Sequence, residues 1–234
     1  MEAVVIPEKC LGVVMPVFNE EGTLHRIVEK VLSRPEVGEF IMVDDGSTDG
    51  TWERMRELEK TDARIRIFRR EVNGGKGAAL RTGFGHAEAE ILVVQDADLE
   101  YDPDEYPALL LPILAGKADV VYGSRFKGTG MHRVLGFWHA FGNKLLTMMS
   151  NMATNLDLTD METCYKMFRR SILGRIELRE DRFGIEPEFT AKVAKLRVPI
   201  CEISISYHGR TYEDGKKIGW KDGVSAIRCI LKYR

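Results

Sequence analysis

Five short apolar runs lie in the first 125 residues of this chain, and each of the first four is followed by a helix-like segment. The runs predict strands at Leu11–Met15, Phe40–Val43, Arg64–Phe68, Ile91–Gln95 and Asp119–Tyr122. Helices are predicted from about Gly22 to Leu32, Gly50 to Glu59 and Lys76 to Ala87, and from near Pro103. Such alternation predicts an α/β fold, with a Rossmann-like, mostly parallel sheet and helices on both of its faces.

The pattern changes after Arg125, where the alternation of strands and helices ends. The remaining predictions are a glycine-rich link at 128–130, a long helix from about Met131 to Ala153, an irregular piece at Leu158–Phe168, a helix from about Glu186 to Lys195, a strand at Cys201–Ile205, a polar loop at Gly209–Gly219 and a final helix. With 234 residues the chain has room for one α/β domain, or at most two small ones.

The long predicted helix carries an apolar stripe with a spacing of three and four residues. Its members are Leu135, Trp138, Phe141, Leu145, Met148, Met149 and Met152. Packing against the core is the favoured interpretation of this stripe. The alternative is a helix face that rests on lipid.

Composition excludes several classes of protein. Hydrophobic residues make up 44% and charged residues 30% of the chain, as in ordinary soluble proteins, and a net charge of −2 argues against a nucleic-acid binder. The chain has no uncharged apolar stretch of about 18 residues, and its N-terminus lacks the basic and apolar regions of a secretory signal. Four widely spaced cysteines indicate reduced thiols. We therefore expect a cytoplasmic protein without a transmembrane helix.

Two carboxylates, Asp96 and Asp98, follow directly after the apolar run Ile91–Gln95. Ligands of open α/β sheets bind outside the carboxyl ends of the strands. Residues i and i+2 of an extended segment point to the same side, so the two like charges lie close together and need a cation. Mg2+ is commonly held by one or two carboxylates together with substrate phosphates. The pattern predicts a metal that is bound with a nucleotide diphosphate.

Three further segments follow predicted strands at the same edge. They are Pro16–Glu21, Val43–Thr51 and Asn73–Ala79. The last is rich in glycine and opens a helix at Lys76, a combination that allows close backbone approach to a ligand and favours anions. No complete dinucleotide fingerprint and no Walker A motif occurs. The chain therefore has the signature of neither a dehydrogenase nor a P-loop NTPase.

Taken together, these segments resemble the family 2 glycosyltransferases of GT-A fold. The matching residues are Pro16-Val17-Phe18-Asn19-Glu20, Val43-Asp44-Asp45-Gly46-Ser47-Thr48-Asp49-Gly50-Thr51 and Asp96-Ala97-Asp98. Gly123-Ser124-Arg125-Phe126 and Ile203-Ser204-Ile205-Ser206-Tyr207 narrow the resemblance to the branch similar to dolichol-phosphate mannose synthase. It extends from about Leu11 to Tyr233 and implies a single domain over 1–234, in which 10–125 bind the nucleotide-sugar and 126–234 the acceptor.

The resemblance implies a donor site built from several segments. The nucleoside would be held by Pro16, Phe18, Glu20, Val43 and Asp45. The metal, Mg2+ or Mn2+, and the diphosphate would be held by Asp96, Ala97 and Asp98, with Glu100 near the metal. The donor phosphates would be bound by Lys76, by Arg210 and by Lys217, or by Lys216 because the C-terminal loop is one residue longer than in close relatives.

The resemblance also implies a binding site for the acceptor, in which cationic side chains hold a phosphate. Arg125, helped by Arg133, would bind the acceptor phosphate. Asp160 lies where family members with hydroxyl acceptors place a general base. A phosphate monoester has a second pKa of about 6 and needs no such base, so Asp160 would then organise the acceptor loop.

The expected activity is inverting transfer of a sugar, mannose or glucose, from a GDP- or UDP-sugar to a polyprenyl or dolichyl phosphate. The alternative enzyme is a family 2 transferase that acts on a sugar hydroxyl, with Asp160 as base. A nucleotidyltransferase and a non-catalytic sensor of sugar nucleotides are further alternatives. A lipid acceptor implies that the protein binds peripherally to the cytoplasmic face of a membrane.

Overall fold

The computed structural model of this chain describes residues 4–127, 136–209 and 220–234. Its strands are β1 (Leu11–Val17), β2 (Val37–Asp44), β3 (Ile65–Arg69), β4 (Ile91–Val94), β5 (Val120–Ser124), β6 (Lys166–Arg169) and β7 (Ile200–Ser204). They form one sheet in the order β3-β2-β1-β4-β6-β5-β7. Among the described residues, only β6 runs antiparallel to its neighbours.

Helices surround this sheet. They are α1 (Leu24–Leu32), α2 (Thr51–Glu59), α3 (Lys76–His86), α4 (Tyr106–Leu114), α5 (Phe137–Thr154), α6 (Ile185–Leu196) and α7 (Trp220–Tyr233). Helix α3 packs on β1 and β2, while α5, α6 and α7 pack on one another. The mostly parallel sheet with helices around it confirms the predicted α/β architecture. All five strands predicted before Arg125 are present, although β2 starts at Val37 rather than Phe40.

The register of the central strands brings several loops to one edge. Val17 of β1 lies opposite Asp44 of β2, and Val14 of β1 lies opposite Val94 of β4. Because these strands are parallel, the segments that leave them emerge side by side. Strand β5, which ends at Ser124, points the same way on the far side of β6. The edge predicted to bind ligand is therefore formed by the ends of β1, β2, β4 and β5.

The prediction that Leu158–Phe168 is irregular is wrong at its C-terminal end, because β6 begins at Lys166 and pairs with both β4 and β5. The strand is only four residues long and carries a charged side chain at a buried position. The Lys166 ammonium forms an ion pair with Glu186 of α6. A strand whose buried position is polar gives no apolar run, so the pattern concealed it.

The apolar stripe of the long helix also differs from the favoured interpretation. Within the described residues the helix begins at Phe137, and Leu135 lies outside them. Trp138 is 79% and Met152 80% exposed, and Phe137, Phe141, Leu145 and Met148 are exposed as well. The helix instead turns Leu146, Met149 and Ala153 toward the core, beside buried Thr147 and Ser150. Of the predicted stripe only Met149 packs inward, so the core-packing prediction is wrong for the others that are described.

The four cysteines are all free thiols, and Cys164 and Cys229 are buried. In the described part of the chain, no helix combines the length and the apolar character needed to cross a membrane.

Candidate active site

The carboxylate of Asp45, just after β2, organises the glycine-rich segment before α3. It accepts hydrogen bonds from the backbone N–H groups of Gly74 at 3.1 Å and Gly75 at 2.6 Å. The Arg70 guanidinium Nε lies 3.0 Å from the same carboxylate. Asp45 therefore has a structural task, and its predicted contact with the nucleoside stays a prediction.

The segment after β1 is bonded to the loop after β2. The Asn19 N–H donates to the Ser47 hydroxyl at 2.9 Å, and the Glu20 N–H donates to the Thr51 hydroxyl at 2.9 Å. Asn19 adopts a left-handed φ of 50°, which turns the chain sharply. These bonds bring the predicted nucleoside residues together at the ends of β1 and β2: Pro16, Phe18, Glu20, Val43 and Asp45. The Val43 side chain itself lies in the core.

The end of β4 is fixed by a buried glutamine. The Gln95 Oε1 accepts hydrogen bonds from the Tyr106 hydroxyl at 2.6 Å and the Tyr165 hydroxyl at 2.7 Å. Asp96 and Asp98 follow this glutamine and are partly exposed, while Ala97 between them is buried. Ala97 and Asp98 lie in a turn rather than in an extended segment, so the predicted pairing of the two carboxylates on one side stays a prediction.

Asp96 is joined to a buried network of alternating charges. The Lys76 ammonium lies 3.0 and 3.2 Å from the two oxygens of Asp96 and 3.1 Å from Glu186. Burial alone would lower the pKa of Lys76, but the nearby carboxylates, above all Asp96, raise this pKa well above its ordinary value. Lys76 therefore stays charged and neutralises part of the charge of Asp96. The sequence analysis assigned Lys76 to the donor phosphates, and the structure adds its ion pair with Glu186.

The glycines before and within α3 serve another part of the chain. A Cβ on Gly77 would lie 2.2 Å from the Glu180 carbonyl oxygen, and the Ala78 N–H donates to the Asp181 carbonyl at 2.9 Å. Gly75 adopts a φ of +94° beside Arg182. In this structure the N-terminus of α3 thus receives the 180–182 backbone. The glycines therefore have a packing role, and their expected close approach to a ligand stays a prediction.

Arg125 and Asp160 form a buried fork. The Asp160 carboxylate accepts from the Arg125 backbone N–H at 3.0 Å, from Nε at 2.6 Å and from Nη2 at 2.7 Å. Nη2 also donates to the Asn143 side chain of α5 at 3.3 Å. Asp160 is fully buried. Both of its oxygens are engaged by Arg125, which favours the organising role over the role of general base.

Tyr207 connects the two halves of the site. Its hydroxyl donates to the Glu100 carboxylate at 2.7 Å, and the Arg125 Cζ lies 5.1 Å from the centre of its ring. The His208 N–H donates to the Glu100 carbonyl at 2.9 Å. Tyr207 entered the sequence analysis only as part of a motif, and the structure gives it a bridging position. The contact holds Glu100, and the predicted place of this carboxylate near the metal stays a prediction.

The carboxylates at the end of β4 suit a hard divalent cation. Within the described ranges, no three or more His, Cys, Asp or Glu side chains are grouped so that they could hold a metal ion. Asp96 and Asp98 offer oxygen ligands, and diphosphate oxygens would complete the shell in the way that Mg2+ sites commonly use. The donor set therefore fits the predicted metal. Four further predicted residues lie outside the described residues: Arg133, Arg210, Lys216 and Lys217.

Glu162, which the sequence analysis did not single out, is a partly buried acid whose Oε1 is shielded from solvent. Its Oε1 has no hydrogen-bond partner among the described residues. Burial raises the pKa of Glu162 to about 7, and the charge of Glu186 acts in the same direction, while Lys166 and Arg125 oppose the shift. The folded protein therefore keeps this carboxyl protonated well above the ordinary value of 4.5.

We expect Glu162→Gln to stabilise the protein at alkaline pH. The raised pKa contributes stability that is present below pH 4.5 and lost as the pH rises through about 7, by up to about 3 kcal/mol. Gln mimics the neutral acid, so the variant should match the wild type at pH 5 and exceed it at pH 8. Urea unfolding at both pH values measures this, with Glu53→Gln on the exposed face of α2 as control. Equal stabilities of variant and wild type at pH 8 contradict the expectation.

A solved structure shares this architecture. Glucosyl-3-phosphoglycerate synthase of Mycobacterium tuberculosis, in complex with Mn2+, UDP and glucosyl-3-phosphoglycerate, superposes with a TM-score of 0.74. The match covers 96% of this chain and 80% of that one at 19% identity. At this identity the likeness concerns the fold, and it confirms the predicted GT-A architecture.

Curated relatives agree with the predicted branch. Dodecaprenyl-phosphate galacturonate synthase of Rhizobium johnstonii is 29% identical over 86% of this chain and 60% of its own length. Dolichol-phosphate mannosyltransferase of Pyrococcus furiosus is 28% identical over 78% of this chain and 52% of its own length. The chain thus spans little more than half of these two relatives. Their names confirm the resemblance to the polyprenyl-phosphate branch.

The family itself follows from the match to a family model. The model described as glycosyl transferase family 2 covers residues 12–176, which is well over half of the chain. This stretch includes the ends of β1, β2, β4 and β5 and the Arg125–Asp160 fork. The chain therefore belongs to glycosyl transferase family 2.

Proposed function

We propose that this chain transfers a sugar from a nucleotide diphosphate-sugar to a polyprenyl phosphate, with inversion at the anomeric carbon. The observation that carries the proposal is the bridge made by Tyr207. It places the Arg125 fork beside the segment of Asp96, Asp98 and Glu100. A phosphate-binding cation next to a diphosphate-binding segment suits a reaction between two anions.

On the donor side, Phe18, Glu20 and Asp45 would hold the nucleoside at the ends of β1 and β2. Asp96 and Asp98 would hold Mg2+ or Mn2+ with the diphosphate, and the ion would neutralise the charge that develops on the leaving group. The Mn2+ and UDP in the structural neighbour support this assignment.

On the acceptor side, Arg125 would orient the phosphate for attack. One phosphate oxygen forms a bond to the anomeric carbon, and the bond from that carbon to the diphosphate oxygen breaks with its electron pair. No proton needs to be removed, because the phosphate is already anionic near neutral pH. Rate then comes from proximity and electrostatics, and Asp160 contributes by fixing the guanidinium of Arg125.

One observation favours the alternative of a sugar hydroxyl as acceptor. A hydroxyl needs a base, and an ideal base has a pKa near the working pH. Glu162, whose pKa is raised to about 7, meets this condition, whereas Asp160 is occupied by Arg125. The alternative with Asp160 as base is therefore the second candidate, and Glu162 is a further candidate for that base.

A transfer assay with paired acceptors separates the two candidates. The matching nucleotide is first chosen by thermal shift with GDP, UDP and their mannose and glucose derivatives in Mn2+, because ligand binding raises the melting temperature. The chosen donor is then offered to a short polyprenyl phosphate and to the corresponding polyprenol, which lacks the phosphate. Product from the phosphate alone supports the proposal. Product from the alcohol or from a free sugar, with none from the phosphate, supports the alternative.

We further propose that the chain binds the cytoplasmic face of a membrane through the exposed side of α5. Phe137, Trp138 and Phe141 form one aromatic cluster there, with ring centres 5.1 to 6.2 Å apart. Asn143 of the same helix contacts Arg125, so this surface adjoins the proposed acceptor site. Aromatic and apolar side chains on one helical face are typical of interfacial helices.

The C-terminal helix α7 offers fewer cations to lipid than its sequence suggests, because Arg228 and Lys232 are paired with Glu180.

We expect Trp138→Ser to weaken binding to vesicles by roughly thirtyfold, because burial of one large apolar side chain contributes about 2 kcal/mol. Co-sedimentation with anionic vesicles at low salt measures this effect. Val72→Ser is the matched control, since Val72 is 76% exposed and lies before α3. Equal losses in both variants, or a wild type that stays in the supernatant, contradict the proposed surface.

A further inference from the structure

A carboxylate on the edge strand β7 holds the loop that carries Asp160. The Glu202 carboxylate accepts from the Thr159 N–H at 2.8 Å, from the Thr159 hydroxyl at 3.1 Å and from the Asp160 N–H at 3.2 Å. Bonds from N–H groups to an ionised acceptor are stronger than neutral ones. Glu202 therefore fixes two consecutive residues of a loop that lies between α5 and β6.

The same two residues are held from the other side by the end of β5. The Thr159 hydroxyl lies 2.6 Å from the Ser124 hydroxyl, and Asp160 accepts three hydrogen bonds from Arg125. Thr159 and Asp160 are thus clamped between Glu202 and the Ser124–Arg125 end of β5. A continuous chain of contacts connects Glu202 to the guanidinium of Arg125.

The geometry of this fork depends on where Asp160 is placed. A guanidinium binds a carboxylate through two parallel N–H bonds, and a displacement of Asp160 would rotate or shift the whole plane. Without Glu202 the two backbone N–H groups would need other acceptors, and the loop would lose the contact that sets its position on β7. A misplacement of about 1 Å can cost about 10²-fold in rate.

We infer that Glu202 is a positioning residue for the phosphate acceptor, acting through Thr159 and Asp160 on Arg125. The inference rests on the proposed function. The hydrogen bonds of Glu202 in the described part of the chain go to Thr159 and Asp160, on the acceptor side of the site. Its removal should therefore impair the acceptor and spare the donor.

Steady-state kinetics with polyprenyl phosphate test the inference. We expect Glu202→Ala to raise the KM for the acceptor about ten- to hundredfold, while the Kd of the nucleotide with Mn2+ changes less than about twofold. Glu202→Gln keeps one acceptor oxygen and should fall between the wild type and Glu202→Ala. In an Arg125→Lys background, Glu202→Ala should add little, because contacting residues that act as a unit are not additive.

Glu39→Ala is the matched control for loss of stability. The Glu39 carboxylate on β2 accepts from the Glu88 and Ala89 N–H groups, both at 3.0 Å, away from Arg125. The Glu39→Ala variant should lower the melting temperature as Glu202→Ala does, and it should leave the KM for the acceptor unchanged. An unchanged acceptor KM in Glu202→Ala, or a parallel loss of donor affinity, overturns the role of Glu202 alone. A wild type that makes no product from polyprenyl phosphate overturns the proposed function and this inference with it.

Discussion

Asp98→Asn is expected to reduce sugar transfer by about 10³-fold or more and to abolish metal-dependent nucleotide binding. Asparagine keeps the shape of the side chain but loses the charge, and hard cations prefer carboxylate oxygens. The Asp98 Oδ1 accepts the Glu100 N–H at 3.1 Å, a bond that the asparagine carbonyl can preserve. The fold should therefore survive, and the loss should be confined to the metal and the diphosphate.

Asp98 is a better choice for this experiment than Asp96. Lys76 lies within 3.2 Å of both oxygens of Asp96, so a substitution there also releases a buried cation beside Glu186. Its effect on metal binding could not be separated from the disturbance of that network. Asparagine at position 98 can keep the bond to the Glu100 N–H, and the substitution leaves the Lys76–Asp96 ion pair in place.

Isothermal titration calorimetry of UDP or GDP, with Mn2+ and with EDTA, measures the binding part of this prediction. Asp104→Asn is the control, because Asp104 is an exposed acid of the same connection that pairs with Arg34. The control should bind and turn over like the wild type. Metal-dependent binding and transfer that persist undiminished in Asp98→Asn would refute the assignment of the metal to this residue.

The sequence predicted the parallel half of the sheet well for a physical reason. Strands buried on both faces appear as continuous apolar runs, as in Leu11–Val17 and Ile91–Val94, and each is followed by a helix. The strand β6 escaped prediction because Lys166 occupies a buried position, where its charge is compensated by Glu186. That compensation is a tertiary contact, and no local pattern reveals it.

The site shows the same division. Asp96 and Asp98 were predicted because their spacing and their place after a strand carry the information locally. The partners of these groups were not, because Lys76 meets Glu186 across the fold and Glu202 reaches Thr159 from 43 residues away. The prediction that the apolar stripe of α5 packs on the core was wrong for another reason. The hydroxyl of buried Thr147 accepts a hydrogen bond from the Met161 N–H at 3.1 Å, and this contact places a polar face of the helix inward. Periodicity identifies an amphipathic helix but not which of its faces finds a partner.

Arg125→Lys is expected to reduce transfer to polyprenyl phosphate by about 10²–10³-fold while donor binding stays nearly unchanged. Loss of one oriented, charged contact in the reacting geometry costs about 3 kcal/mol. Lysine keeps the charge but cannot reproduce the two parallel bonds from Nε and Nη2 to Asp160. Arg125→Ala removes the charge as well and leaves Asp160, which is fully buried, without its partner. An unpaired buried charge destabilises by about 3–5 kcal/mol, so the alanine variant tests folding as much as catalysis.

The comparison that isolates this effect is Arg169→Lys. Arg169 of β6 pairs with Asp119 at 3.1 Å in a partly exposed position, and the change there removes a similar contact away from Arg125. Both variants should fold, since each keeps its charge, and only Arg125→Lys should raise the KM for the phosphate acceptor and lower kcat. Calorimetry with the nucleotide and Mn2+ decides the assignment. If Arg125→Lys loses donor affinity as strongly as it loses transfer, Arg125 binds the diphosphate of the donor, and the acceptor phosphate must be held elsewhere.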